Sequence, residues 1–472
     1  MQTALIEVDN VRDCILPTTD RRQFPVVEVS KRTLGMMREK RRSEGEVMSC
    51  RVWYSLYDRL LYREALLEAF KKVKSANGAP GVDGQSCKDF ALHLDANIHT
   101  LLIELRGKTY RPTPVKRVEI AKPDGGIRKI GIPIVRDRVV QQAVKNILDP
   151  IFDPGFHPSS YGYRPKRSAQ DAIAKATAFM RDYGLEWVVD MDLSKCFDTL
   201  DHELIIHAIR EKVADGSILK LIRMFLESGV LNSGALEPTD VGSPQGGVIS
   251  PLLANIYLDK FDQYMRCRGH RITRYADDIV IFKGSKAGAE NVLEVATEYL
   301  EKRLKLTVNQ KKTHITSLMQ GVPYLGVVIR SGFTQIKDDR LQGFKDKIRR
   351  RTKRNCPVNL QKIISDLNPI LRGFANYFKV ANCKSVFQSM MKWIRRRLRA
   401  IQMKLWKIPQ KLHRRLRQLG YQGEFQRIKM ASWRNAACQY SHWAMPKQWF
   451  DELGLFAMDQ VKTGVLPPIN RG

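Results

Sequence analysis

The chain has 472 residues, 43% hydrophobic and 27% charged, the composition of a packed globular protein rather than a long disordered one. At roughly 150 residues per domain, about three domains are expected. Its 80 Lys+Arg against 49 Asp+Glu leave a net charge of +31, which points to a polyanionic partner and says nothing of fold.

No apolar run approaches the ~18–20 residues that span a bilayer. The opening stretch, Met1 to Asp13, meets acidic residues too early for a secretory signal. The 8 cysteines include no C-x-x-C pair, which argues against a zinc knuckle or disulfide framework and for a reducing compartment. With no lipidation motif and no isolated amphipathic anchor, nucleic acid rather than a membrane is the expected partner.

Taken in chain order, the first fifty residues carry nearly balanced charge and weak periodicity, and no element is predicted there. Helical spacing predicts helices over 61–73, 135–148, 168–182, 202–213, 251–265 and 287–303, alternating with short apolar strands at 115–120, 187–192, 279–282 and 324–329. Interspersed helices and strands indicate an α/β or α+β domain around a central sheet. Composition breaks near 340: residues 341–472 hold 28 Lys+Arg and 6 Asp+Glu, a net +22. A charge run is ordinarily a solvated helix face. This one extends over the whole carboxyl-terminal stretch and is interleaved with Trp393, Trp406, Trp433, Trp443 and Trp449, which favours a nucleic-acid surface.

That basic stretch is also patterned to fold. Ile394, Leu398, Ile401, Leu405 and Ile408 form one apolar stripe, with Arg395, Arg396, Arg399 and Lys404 falling off it. Pro409 ends the helix, and Leu412, Leu416 and Leu419 resume the period before Gly420. Upstream, Asn368 and Pro369 read as N-cap and first helical residue, which places Phe374, Tyr377 and Phe378 on one face as core rather than as base-stacking platforms.

The sharpest chemical feature is Arg274-Tyr275-Ala276-Asp277-Asp278-Ile279-Val280-Ile281-Phe282. An isolated Asp-Asp pair reads as a solvated turn. A second acidic strand end, Trp187-Val188-Val189-Asp190-Met191-Asp192, changes the balance, because alternation puts Asp190 and Asp192 on one face. If the strands are neighbours, Asp192 and Asp277 meet, and carboxylates so placed repel unless a cation lies between them. Hard oxygen donors favour Mg²⁺ shared with substrate phosphates, and two such ions about 3.5–4 Å apart serve in-line phosphoryl transfer in polymerases. A hairpin turn at Lys122-Pro123-Asp124-Gly125-Gly126-Ile127-Arg128 would present Lys122 and Arg128 together, suited to a triphosphate. In Gly242-Ser243-Pro244-Gln245-Gly246-Gly247-Val248-Ile249-Ser250-Pro251, the glycines admit a ligand close to the backbone and Gln245 offers hydrogen bonds to a base or sugar; a plain loop into a helix start is the alternative.

In order over about residues 54–460, these segments resemble the group II intron-encoded reverse transcriptases/maturases. The signatures are YADD at 275–278, GSPQGGVISPLLANIYL at 242–258, Ser159-Ser160-Tyr161-Gly162-Tyr163-Arg164-Pro165, Asn77-Gly78-Ala79-Pro80-Gly81-Val82-Asp83-Gly84, and Leu367-Asn368-Pro369-Ile370-Leu371-Arg372-Gly373-Phe374-Ala375-Asn376-Tyr377-Phe378. The resemblance implies an α+β right-hand polymerase fold with fingers and an antiparallel-sheet palm over 54–338. An α-helical thumb/maturase domain would follow over 339–408, then a small basic, DNA-binding-like helical segment over 409–472, with 1–53 as an amino-terminal extension. It implies that Asp192, Asp277 and Asp278 are the catalytic carboxylates and hold two Mg²⁺ ions; Asp190 has no counterpart role. It matches Phe197 to a gate against the ribonucleotide 2′-hydroxyl, Lys122 and Arg128 to the grip on the triphosphate, Gln245 to the residue under its sugar and base, and Lys312 to a pyrophosphate-side role. Val322-Pro323-Tyr324-Leu325-Gly326 resembles the hairpin supporting the primer strand. Larger members add an endonuclease domain built on paired cysteines and histidines; here Cys438 and His442 lack metal-ligand spacing, so a member without that domain is expected.

The expected activity is RNA-directed DNA synthesis from dNTPs, joined to intron RNA binding that assists splicing and mobility. The expected partners are intron RNA, an RNA template, and a DNA primer or target, in a bacterial-type cytoplasm, as a monomer or a dimer. Two other readings fit the same signatures: a splicing cofactor with an idle polymerase site, and a reverse transcriptase recruited to repair or defence.

Overall fold

The computed structural model describes residues 52–121, 125–232, 235–237, 242, 246–355, 358–425 and 439–469. The chain folds into two units: one gathers Met1–Phe156, Lys195–His270 and Leu304–Leu306, the other His157–Ser194, Arg271–Arg303 and Thr307–Gly472. In chain order the strands are β1 (Val115–Ala121), β2 (Ile127–Ile132), β3 (Trp187–Met191), β4 (Val230–Asn232), β5 (Ala235–Glu237), β6 (Arg271–Tyr275), β7 (Asp278–Lys283), β8 (His314–Ser317), β9 (Val322–Tyr324), β10 (Val327–Ile329) and β11 (Thr334–Ile336).

The first unit carries the sheet β2-β1-β4-β5. β1 and β2 form the expected antiparallel hairpin, ending at the pair Ala121↔Ile127, with Gly125 at φ 83 in the turn, a conformation glycine adopts without steric cost. Helix Val135–Phe152 follows β2 directly, and polar groups in its first turn tie down two loops. Asp137 accepts from the Tyr110 hydroxyl at 2.6 Å and the Thr113 amide at 2.8 Å. The buried Arg138 donates to the Pro133 carbonyl at 2.8 Å and to the Ala79 carbonyl. The Asn77–Gly84 motif uses two of its glycines there: a Cβ at Gly78 would stand 2.8 Å from the Arg138 guanidinium, and one at Gly81 would stand 2.8 Å from Ile134.

The second unit holds two antiparallel sheets, β6-β7-β3-β8 and β11-β10-β9, and a helical carboxyl-terminal region. The mixed helix-and-sheet class and its antiparallel sheets are as expected. Charge breaks near 340 but apolar packing does not: Val280, Phe282, Tyr324 and Ile329 share one buried cluster with Phe344, Leu367, Phe387, Leu398 and Leu412. The aromatic face is core, with Phe344 stacked on Phe374 at 3.9 Å and Phe374 4.7 Å from Phe378.

Three local expectations are corrected. The stretch 324–329 is not one strand: β9 turns into β10 through Leu325 and Gly326, at φ 46 and 82, the paired positive φ of a tight two-residue hairpin. Leucine is an unusual residue for that conformation, so apolar patterning alone runs through the turn that the hairpin resemblance at Val322–Gly326 had marked. Second, Asn368 and Pro369 do not begin a helix. Helix Leu360–Phe378 starts behind the Asn359 cap, whose side chain accepts from the Lys362 amide at 2.9 Å, and Pro369 sits inside it. The Asn368 side chain is engaged elsewhere, donating to the Gly454 carbonyl at 2.7 Å and accepting from the Phe456 amide at 2.9 Å. Third, of the four cations placed off the stripe of helix Lys384–Trp406, Arg395 and Arg399 are buried. Arg395 pairs with Asp459 at 2.9 Å, and Arg399 donates to the Met445 carbonyl at 2.9 Å.

Candidate active site

The register of the β6-β7-β3-β8 sheet assembles the acidic residues. β3 and β7 pair with Asp190 opposite Val280 and Met191 opposite Ile279; one further step sets Asp192 level with Asp278. On the other side β3 pairs with β8, Asp190 opposite His314, and beyond the end of that pairing Lys312 comes beside Asp192. Alternation puts Asp190, Asp192 and Asp278 on one face of the sheet. Asp277 sits in the two-residue turn between β6 and β7, which closes with the pair Tyr275↔Asp278. Ala276 takes φ 61 there, the positive φ that such a turn requires and glycine usually supplies.

The segment Ser159–Arg164 cradles that turn. Ser160 bridges Arg274 in parallel, the Tyr161 amide donates to the Arg274 carbonyl at 2.9 Å, and the Arg274 amide donates to the Ser159 carbonyl at 3.0 Å. Arg274 is fully buried and its guanidinium donates to the Ala276 carbonyl at 2.9 Å, fixing the turn from below. Gly162 lies against the Tyr275–Ala276 backbone too closely for any side chain. Arg164 closes the cradle on itself, donating at 2.9 Å to both the His157 and Ser160 carbonyls.

The carboxylates feel one another. Burial first, then the charges of Asp190, Asp277 and Asp192, push the Asp278 carboxyl up to about 7. Burial likewise lifts Asp190 to about 6, opposed by His314 and reinforced by Asp192. His314 Nε2 stands 3.9 Å from Asp190 Oδ2. Asp192 is held by neighbours: its Oδ2 accepts from Asn309 Nδ2 at 2.9 Å, its carbonyl accepts from the Asn309 amide at 2.8 Å, and its own amide donates to Thr313 Oγ1 at 3.3 Å. Lys312 Nζ lies 3.9 Å from Asp192 Oδ2.

Among the described residues, no three His, Cys, Asp or Glu side chains converge closely enough to hold a metal ion in this conformation. The donor chemistry nevertheless fits a hard cation. Asp190, Asp192 and Asp278 share one face, and the repulsion that adds to burial in raising Asp278 falls when a divalent ion lies among them. Asp190, His314 and Asn309 are the site neighbours that motif reading left without roles. Strand alternation placed Asp190 on the right face, but β8, which brings His314 and Lys312 alongside, had no strand signature.

The other candidates belong to the first unit. Arg128 is exposed on β2, paired in register with Ile120 of β1; Lys122 and Gln245 lie outside the described residues. Phe197 is buried in a short turn, Cys196–Asp198, entered through Lys195 at φ 50.

Comparison with known proteins decides the family. Residues 120–329 match the reverse transcriptase (RNA-dependent DNA polymerase) family, and residues 341–420 match the group II intron maturase-specific domain. Protein YkfC of Escherichia coli is 36% identical over 302 residues, 56% of this chain and 79% of its own length. The chain belongs to the group II intron reverse transcriptases/maturases. The group II intron-encoded protein LtrA of Lactococcus lactis is 29% identical over 432 residues, covering 70% of this chain and 71% of LtrA. The putative COX1/OXI3 intron 2 protein of Saccharomyces cerevisiae is 27% identical over 323 residues, 56% of this chain and 38% of its own.

As a group II intron reverse transcriptase/maturase, the protein is an RNA-directed DNA polymerase with a role in intron splicing and mobility. Its partners are RNA and nucleic acid, and reverse transcriptases of this kind use divalent metal ions. No helix among the described residues is long and apolar enough to cross a membrane.

Proposed function

We propose that Asp192, Asp277 and Asp278 are the catalytic carboxylates and would hold two Mg²⁺ ions, and that the protein extends a DNA primer from dNTPs on an RNA template, its intron RNA among them. The observation that carries this reading is Asp278 at the start of β7, level with Asp192 just past the end of β3, with Lys312 Nζ 3.9 Å from Asp192 Oδ2 and Asp277 in the adjoining turn. When bound, such ions supply the positive charge that favours the attacking 3′-hydroxyl as an alkoxide and steadies the leaving pyrophosphate.

The chain's own groups prepare the site. Asn309 orients Asp192 through its side-chain amide, and the Ser159–Arg164 cradle holds the Asp277 turn so that its position survives substrate binding. Lys312, already near Asp192, would take charge on the pyrophosphate side. In the first unit, Lys122 and Arg128 would bind triphosphate oxygens, Gln245 the sugar and base, and Phe197 would exclude a ribonucleotide 2′-hydroxyl. The domain reading goes with these roles: fingers and palm over 54–338, thumb/maturase over 339–408 and a basic nucleic-acid-binding segment over 409–472. We infer a bacterial-type cytoplasmic location, with the protein associated with its nucleoprotein.

The test is dNTP incorporation on a primed RNA template with the full-length protein and Mg²⁺. Template-directed extension supports the reading. A folded protein that binds RNA but extends no primer overturns it in favour of a splicing cofactor with an idle site.

A further inference from the structure

The Gly-Gly loop of the first unit is anchored to the fingers by one buried amide. Gly246 takes φ 125, and its α-carbon lies so near β2 that a side chain would overlap the Gly131 carbonyl oxygen and meet Ile130 Cγ2 at 2.9 Å. Two residues on, the Val248 amide donates to Gln141 Oε1 at 2.9 Å. Gln141 is 6% exposed, on helix Val135–Phe152, whose first residue lies three positions after the last residue of β2. The start of the loop is fixed as well. Gly242 donates to the Leu200 carbonyl at 2.8 Å, its own carbonyl faces His202 Nε2 at 2.6 Å, and a Cβ there would stand 2.6 Å from the Asp198 carbonyl oxygen.

β2 also carries Arg128, three residues before Gly131. The helix that holds Val248 therefore follows directly on the hairpin that carries Arg128, the proposed triphosphate-binding cation, and the bare backbone of Gly246 lies against that same strand. We propose that Gln141 is a positioning residue for the incoming nucleotide: by holding Val248 it sets the Gly246–Val248 backbone against the Arg128 hairpin, shaping the surface that receives a deoxynucleoside triphosphate. Gln141 touches no substrate and acts through the loop. The inference rests on the polymerase reading above.

Gln141→Met keeps the length of the side chain and removes the acceptor, leaving the Val248 amide without its partner. In full-length protein with a primed RNA template, it should raise the dNTP KM about tenfold, with kcat and template–primer Kd changed less than about twofold, the signature of lost ground-state positioning. Gln141→Glu, which keeps an oxygen acceptor, should recover most of the KM. A folded Gln141→Met with wild-type KM overturns the inference, as does a loss confined to melting temperature. Where Gln141→Met does not fold, Gln141→Asn, which withdraws the same amide by one methylene, should show the raised KM, and a wild-type KM there overturns the proposal. Wild-type protein that extends no primer overturns the polymerase reading itself and takes this inference with it.

Discussion

Gly162 and Ala276 are in backbone contact: a Cβ on Gly162 would overlap the Ala276 amide nitrogen and stand 2.9 Å from its Cα. Ala276 is already held at φ 61, so the turn has little freedom to move aside. Gly162→Ala should therefore displace the turn that carries Asp277. Overpacking of this kind costs about 1–3 kcal/mol of stability, while a shift of about 1 Å at a reacting group costs about a hundredfold in rate. Primer extension should fall about a hundredfold with only a modest drop in melting temperature. Gly284→Ala, at the end of β7 where a Cβ meets nothing within 4 Å, should be neutral in both assays. Equal losses in the two variants would contradict the cradle.

Asp277→Ala should abolish primer extension while leaving RNA affinity within about twofold, because the electrostatic grip on RNA comes from phosphate contacts by cations and not from this carboxylate. Removing Mg²⁺ with a chelator should likewise stop synthesis and leave the thermal transition in place, since Asp192 keeps its bond to Asn309 without metal. A variant that loses RNA binding along with synthesis would show that Asp277 serves the fold.

Of the candidate site, strand alternation made legible only that Asp190 and Asp192 share a face; that β3 lies beside β7 comes from their pairing, and the set Asp192, Asp277 and Asp278 came from the family resemblance. The cradle was legible only as a motif: nothing in Ser159–Pro165 says that its backbone bridges Arg274, because that pairing joins segments far apart in sequence. Long-range use also misled the helix reading, where Asn368 spends its side chain on Gly454 and Phe456 instead of capping. Arg395 and Arg399 were misplaced for a related reason. Charge predicts exposure until a distant partner such as Asp459 or the Met445 carbonyl makes burial affordable.

That buried pair gives a stability prediction. The Arg395 and Asp459 side chains are only 7% and 12% exposed, and their single hydrogen bond leaves Arg395 Nε and Asp459 Oδ1 without a partner. Asp459→Ala should strand a buried guanidinium and cost about 3–5 kcal/mol, whereas the double variant Arg395→Met/Asp459→Leu should recover most of that loss. Denaturant unfolding of the three proteins checks it. A double variant no more stable than Asp459→Ala would mean that the ion pair's packing, not its charge, holds the carboxyl-terminal segment to helix Lys384–Trp406.

The same helix separates cations that bind from cations that build. Lys392 and Arg396 are exposed, while Arg395 and Arg399 are buried and committed to Asp459 and Met445. Only a cation that meets a phosphate releases a counterion, so of these four only Lys392 and Arg396 can contribute to the salt dependence of RNA affinity. Lys392→Gln/Arg396→Gln should lower the slope of log K against log salt by about 1.4–1.8, at about 0.7–0.9 per phosphate contact, with the melting temperature unchanged. Arg399→Gln should leave the slope alone and lower the melting temperature, because its guanidinium also covers the Phe450 ring at 5.4 Å. RNA titrations at several salt concentrations, paired with melting curves, read both quantities on each variant. A slope that falls with Arg399→Gln and not with Lys392→Gln/Arg396→Gln would place the RNA-binding surface on another face of the helix.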